Sequence, residues 1–496
     1  MGVRQTETAK QRRGTRAETF AAIRKAIFHT EEAETVPSTM IRDMTKGAVV
    51  PQLLRFAFPL FVSNALQAVY NLVDMIIVGN CIGKAGMSAV SIGGDILHLL
   101  TFVAMGFSSA GQVLIARSVG TGRHDEIKKT IGTMFTFLLG ASLAISLGCY
   151  LLRASVLRWL NTPAAAADFA MDYMVTCVCG LPFIYGYNIV SAILRGMGDS
   201  RRPFLFIAAA AVLNTALDIL FVKYLGMEVF GAALATVIGQ GVSFLLALAY
   251  LHRRRESFGF DFRPESFRID PPAFRRLLSL GIPMAIQSAA ISFSKIVLMA
   301  WVNLFDVTYS ALAGIFNKTN TVCGVISQAF TTAGSTMAGQ NLGAGKHERV
   351  QRILLTILVI GLGFALLGTG VMLLCPAAVY AVFTPDADVL RAAGVLTLPI
   401  ILNFYGAATR SASFSLINGS GRAGLNLAIA IIDGVISRIG LAALLGFACG
   451  LECFGFWMGD SLAGFMPLII GGTFYLSGKW REPGARLHVR EEKTTD

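Results

Sequence analysis

Charge is scarce in this chain. Asp, Glu, Lys and Arg make up only 15% of its 496 residues, where a soluble domain carries about 25%. Hydrophobic residues reach 54% before the 51 glycines are counted, and the mean hydropathy is +0.62. A soluble globular fold is excluded. Several chemical signatures are also missing. No G-x-x-x-x-G-K-[ST] phosphate loop occurs, which rules out a P-loop ATP-driven pump within this chain. Neither H-E-x-x-H nor G-x-S-x-G is present, nor is a paired intramembrane Asp of protease type, so an enzyme is not expected and no residue is assigned a catalytic role. Cys177 and Cys179 form a C-x-C without the second half of a zinc site, and the six histidines lack ligand spacing. The eight cysteines therefore read as small buried hydrophobes, and neither a metal nor a cofactor is expected.

What is present is a series of long apolar runs. A helix needs roughly 20 apolar residues to cross about 30 Å of hydrocarbon. About twelve such runs occur, near 52–78, 88–116, 130–152, 169–194, 203–222, 229–251, 277–301, 309–338, 353–374, 389–416, 426–447 and 455–477. With the N-terminus inside, the even loops hold Arg117, Arg123, Lys128 and Lys129, then Arg195, Arg201 and Arg202, then the run from Arg253 to Arg276, then Lys346 and Arg349. The odd loops are poorer, with Lys84, Arg153, Arg158, Lys223 and Arg391. That alternation follows the positive-inside rule and predicts a multi-pass protein of the plasma (inner) membrane with both termini cytoplasmic. The net charge of +12 is thus a topology signal and implies no nucleic-acid partner. The first 48 or so residues are polar; Phe20, Ile23 and Ile27 share one helical face, which fits either an interfacial helix or a disordered extension. Met1-Gly2-x-x-x-Thr6 has the form of a myristoylation signal.

Two stretches about 223 positions apart repeat each other. Ser108 to Ile127 reads SSAGQVLIARSVGTGRHDEI, and Thr331 to Val350 reads TTAGSTMAGQNLGAGKHERV. Pro59 answers to Pro283 and Pro182 to Pro399, as mid-span kinks or packing features, and Arg195-Gly-Met-Gly198 answers to Asn418-Gly-Ser-Gly421. The expected fold is an all-α polytopic membrane protein of about twelve transmembrane helices in two six-helix pseudo-symmetric lobes, with the binding site between them. The domains predicted are an N-terminal extension 1–48, a first lobe 49–252, a basic linker 253–276, a second lobe 277–478 and a tail 479–496.

The chain resembles the multidrug and toxin extrusion (MATE) family of secondary antiporters. The resemblance covers about 50–480 and rests on NLVDMIIVG from Asn71 to Gly79, the two repeats, LRGMGDSRRP from Leu194 to Pro203 and LNTALD from Leu213 to Asp218. It implies that Asp74, Asn214 and Asp218 correspond to the family's ion-coupling cluster in the first lobe. Physical logic agrees. Asn214 and Asp218 lie four apart on one helix face, and Ser63, Gln67, Asn71 and Asp74 form a polar stripe along the first span. A carboxylate kept from water holds its proton more readily, and Asn214 can bond either protonation state.

Relatives of the sodium-coupled type carry carboxylates in the seventh and tenth spans. This chain offers Gln287, Ser288, Ser292 and Lys295 in the seventh, and Asn403 and Arg410 in the tenth. Asp95 and Lys318 correspond through the repeat, so an acidic first half faces a more basic second half. Lys295 or Lys318 then either pairs with Asp95 or Asp74 as a gating ion pair, Asp95–Lys295 being the pair singled out, or binds an anionic or zwitterionic substrate. Gln67, Asn71, Asn188, Gln287, Lys295 and Lys318 are the expected substrate cleft. Asp433 and Arg438 are expected to partner each other, while Asp460 has no evident partner. The function expected is a monomeric, ion-coupled antiporter, driven by protons or sodium with protons preferred, that exports small amphipathic organic solutes from the bilayer-embedded cleft. The alternative is a flippase for lipids or lipid-linked anions.

Overall fold

The computed structural model describes residues 41–160, 162–257 and 260–482. The expectations for Phe20, Ile23, Ile27 and Gly2 lie outside the described residues. Each apolar run has a helical counterpart. In chain order these are α1 Val49–Ile82, α2 Lys84–Thr121, α3 His124–Leu151, α4 in two pieces (Ala167–Cys179 and Leu181–Gly196), α5 Arg201–Tyr224 and α6 Glu228–Arg253. The second series is α7 Pro271–Val302, α8 Val307–Gly343, α9 His347–Leu374, α10 Ala387–Ser420, α11 Ala423–Ala448 and α12 Glu452–Leu476. Among the described residues, ten helices are long and apolar enough to span a membrane, and α4 makes an eleventh as a pair bent by 45°. The remaining one, α8, has 37 residues, but its Ser, Thr, Asn and Gln side chains keep it below the hydropathy of the others. Its side chains face other helices and a cleft, so its own hydropathy understates its fit to a bilayer.

Local sequence sets the ends and breaks. Asp270 caps α7, accepting a hydrogen bond from the Ala273 N–H (3.0 Å), so that helix begins at Pro271 and not near 277. Pro59 and Pro283 lie inside their helices. Pro182 stands at the start of the second piece of α4, and Pro399 close behind the 3₁₀ turn Ala393–Leu396 in α10, so this pair marks where spans restart. Outward-facing Leu366, Leu367, Leu373 and Leu374 on α9 are exposed, as a bilayer-facing surface requires. All eight cysteines are free; Cys177, Cys323 and Cys453 are buried, but Cys179 is exposed, so burial holds for only part of the set.

The two halves meet along α2 and α8, with α2 also packing on α7 and α1 on α8. Their repeated motifs touch each other. Gly120 and Gly343 hold equivalent places, and a Cβ on Gly120 would strike the Gln340 carbonyl, while one on Gly343 would stand 2.5 Å from the Arg117 carbonyl. Arg117 and Gln340 are likewise equivalent. Arg117 donates to the Ser420 carbonyl (2.6 Å), and Gln340 donates to the Gly196 carbonyl (3.3 Å). Each half thus grips the end of the other's fourth span.

A second reciprocal clasp lies beside the first. Arg349, at the start of α9, donates to the carbonyls of Met44, Lys46 and Gly47 before α1. At the start of α3, Glu126 accepts from Arg276 of α7 (3.1 Å), and Thr133 accepts from the Asp270 N–H (3.1 Å). Met44 is buried, with its N–H on Gln340 and its carbonyl on Asn341. These contacts gather the basic loops on one face and close the halves against each other there.

Candidate functional site

Beyond this closed face two polar cavities lie along the boundary between the halves. The larger, about 540 Å³, is lined by Gln67, Asn71, Asp74, Asp95, His98 and Asn188, with Tyr70, Tyr187, Thr236 and Gln240 among its other walls. The α1 stripe explains the first three: residues three and four apart on a helix share a face. Asp74 is buried and one of its carboxylate oxygens, Oδ1, has no hydrogen-bond partner. Asn214 and Asp218 sit behind that wall. Asp218 is fully buried with neither oxygen satisfied, Asn214 Oδ1 is equally unpartnered, and the Asn214 amide reaches Thr236 Oγ1 at 3.5 Å. Asp74 and Asp218 stand within electrostatic reach of each other. Buried acceptors without donors are costly, about 1–3 kcal/mol each and more when charged. The arrangement is therefore suited to taking up a proton or a cation.

The smaller cavity, about 240 Å³, belongs mainly to the second half and has the opposite character. Gln287, Lys295, Asn320, Asn403, Arg410 and Arg438 line it, with Asp460 as its carboxylate. Arg438 and Asp433 are five apart, a separation that the π-helical stretch Ile432–Ser437 turns into one face. Arg438 donates to Asp433 (3.1 Å) and to Asp460, so one guanidinium engages both carboxylates. This confirms the Asp433–Arg438 pairing and supplies the partner that Asp460 lacks in the sequence. The two cavities meet at Met105, Ser109 and Gln328, which line both. Met105 and Gln328 are again equivalent positions of the repeat.

Some expected placements change. Lys318 lines neither cavity. The cleft face of α8 runs through Asn320, Gly324, Ser327 and Thr331, and a residue two places before Asn320 points some 200° away from it. The Asp95–Lys295 pair is not formed: the two side chains line different cavities, and Lys295 makes no ion pair with any described residue. One further residue matters. Arg195 lines the acidic cavity, held by Ser191 Oγ (2.8 Å) and Gln112 Oε1 (2.9 Å), and Gln112 in turn donates to Thr336 across the boundary (2.7 Å). Its place in the LRGMGDSRRP segment is the only signal the sequence offers for it.

Comparison with known proteins adds the family. The MatE family profile matches residues 59–220 and again 283–444, two copies 224 residues apart (59 against 283) that together cover most of the membrane region. The chain belongs to the MATE family. It is 31% identical to the probable multidrug resistance protein YpnP of Bacillus subtilis over 310 residues, covering 62% of this chain and 68% of the relative. It is 25% identical to the FAD transporter of Shewanella oneidensis over 416 residues, covering 81% and 89%. A solved structure described as the outward-facing conformation of a multidrug resistance MATE family transporter superposes with a TM-score of 0.79 at 21% identity, covering 90% of this chain and 99% of that one. This MATE chain is accordingly a multi-pass membrane transporter and not an enzyme, and its twelve helices form the family's two-lobed arrangement.

Proposed function

We propose that this MATE chain is a proton-coupled antiporter that exports amphipathic organic solutes by alternating access, with Asp74, Asn214 and Asp218 as its coupling cluster. One observation carries the reading: four buried acceptor atoms without donors, on Asp74, Asn214 and Asp218, gathered at one wall of the larger cavity. A proton entering there neutralises a carboxylate and weakens its hold on a cationic solute, and rocking of the two halves delivers the proton to the other side. The sealed basic face is cytoplasmic on the positive-inside rule, which puts this conformation open to the outside and both termini on the cytoplasmic side of the plasma membrane. Protons are preferred over sodium because the two buried carboxylates of the second lobe, Asp433 and Asp460, are both engaged by Arg438. The driving force suffices. Each net charge crossing 100 mV yields about 2.3 kcal/mol, a concentration ratio of roughly fifty, for a neutral solute; exchange of one proton for a monovalent cation moves no net charge and draws on the pH gradient. The lobes 49–252 and 277–478 are the moving bodies, joined by the linker 253–276 in a monomer.

Reconstitution in liposomes with a fluorescent organic cation, under a pH gradient or a sodium gradient alone, tests this. Flux that follows the pH gradient and is lost in Asp218→Asn is expected. Flux that follows sodium alone overturns the proton assignment, and flux under neither overturns the antiporter.

A further inference from the structure

We propose that the second half carries a separate site for an organic anion with an apolar body, whose carboxylate, sulfonate or phosphate meets Lys295, Arg410 and Gln287. Three cations and one carboxylate line the smaller cavity. Arg438 takes that carboxylate, Asp460, together with Asp433 behind it. Neither the Lys295 nor the Arg410 side chain makes a hydrogen bond or ion pair to any described residue, and with Asp433 and Asp460 both on Arg438 the three cations exceed the two carboxylates by one charge. They lie within electrostatic reach of the Arg438 cluster and of each other. Arg410 Nε is buried with no acceptor, and Gln287, 8% exposed, leaves its amide Nε2 without one. Gly464 makes room for the guanidinium: a Cβ there would stand 2.8 Å from the Arg410 terminal nitrogen. Cations in a membrane interior face a partner or a cavity, and a planar guanidinium with unused donors fits the paired oxygens of an acid.

The apolar part has a place as well. A neighbouring groove of about 360 Å³ shares Cys323, Ser327 and Ala407 with it; its walls are apolar, Phe330 and Phe404 among them, and it opens on the bilayer-facing side at Val322 and Leu367. It sits between α8, α9 and α10. Lys295 is exposed and lines the smaller polar cavity, which opens into the larger one at Met105, Ser109 and Gln328, so the ligand is a solute that enters from the aqueous cleft. The inference goes beyond the coupling reading and holds whether or not Asp218 carries a proton.

Equilibrium binding without any gradient separates the two. The whole protein in nanodiscs of phosphatidylcholine is titrated with dansyl-labelled undecanoic acid and with its methyl ester. Saturable binding of the acid, about tenfold or more tighter than the ester, is expected from charge-assisted hydrogen bonding. Lys295→Gln and Arg410→Gln should each weaken the acid about tenfold and leave the ester unchanged. Equal affinity of acid and ester in the unmodified protein overturns the site, and needs no variant to fold. Displacement of the acid by a small fraction of phosphatidylglycerol in the nanodisc assigns the site to a membrane lipid and overturns the soluble solute.

Discussion

The first half leaves oxygens unanswered where the second leaves nitrogens. Around the larger cavity the orphan atoms are Asp74 Oδ1, Ser108 Oγ, Asn214 Oδ1 and both oxygens of Asp218; around the smaller they are mostly nitrogens, Gln287 Nε2, Arg410 Nε and Arg438 Nε, with Asn418 Oδ1 and Asp433 Oδ2 as the exceptions. The backbones agree far better than the side chains. Glu228 and Glu452, 224 residues apart, both adopt positive φ, at 50° and 49°, each two residues after a glycine at positive φ, Gly226 and Gly450. In that register Asn214 corresponds to Arg438. The repeat thus preserves how the chain turns at the ends of its helices and reverses the charge at their middles. Turn geometry is what the fold needs from both halves. The charge each half presents to the cleft is free to differ, and that difference makes two kinds of site from one architecture.

The contrast is broken most severely at Arg438. Arg438→Met leaves Asp433 and Asp460 buried without their cation, and removing one partner of a buried ion pair costs about 3–5 kcal/mol. A marked fall in the thermal unfolding midpoint of the purified protein in detergent is expected. Asp218→Asn should show no such fall, because its carboxylate has no partner to lose. Equal losses in the two variants would mean that the halves are held together by the same kind of interaction, and the comparison would fail.

The closed face sharpens the comparison, because there the halves are alike. Gly120→Val and Gly343→Val both push a side chain into the opposing motif, and overpacking of this sort costs about 1–3 kcal/mol. Both should open the face and raise hydrogen exchange in the segment 41–47. Gly140→Val, at a helical position with open space where its Cβ would stand, is the control. An effect in one glycine variant only would show that the clasp is not reciprocal.

Much of this was legible in the sequence and the reasons are physical. Membrane spans announce themselves through length and hydropathy, and the Gly-x-Gly-basic-His motif marks both copies of the loop that closes the molecule. The Asn214/Asp218 spacing reads as one face because α5 is regular there. Lys318 was misplaced because correspondence through the repeat gives a residue's place along the helix and not the direction its side chain takes. The Arg438–Asp460 contact joins α11 to α12 and has no signature in local spacing. Its companion Asp433, at i−5, reads as a neighbour only because α11 widens into a π-helix. The reach of Arg117 and Gln340 to the opposite half depends on how the lobes dock, which local sequence does not encode.

Polar contacts at the boundary should have smaller effects than the packing. Gln112→Ala removes the bond to Thr336 and frees Arg195 from one of its two holders. A neutral bond contributes about 0.5–1.5 kcal/mol and one to a charged group about 1.5–3. Hydrogen exchange in the 41–47 segment should therefore rise less than in the glycine variants. A rise as large would place the closure in hydrogen bonding and not in backbone contact.

The Glu126–Arg276 bridge should matter least. It spans 3.1 Å, but the side chains are 29% and 18% exposed, close to water on the basic face. Exposed or half-exposed pairs contribute about 0–1 kcal/mol and weaken with salt. Arg276→Gln should therefore shift the unfolding midpoint slightly at low ionic strength and not at all in high salt. Here the two halves differ in kind once more. The matching clasp at Arg349 works through backbone carbonyls, which carry no net charge to be screened, so Arg349→Gln should keep most of its effect in high salt. If salt erased both effects alike, the second clasp would also be an ion pair in function, and its asymmetry with the first would vanish.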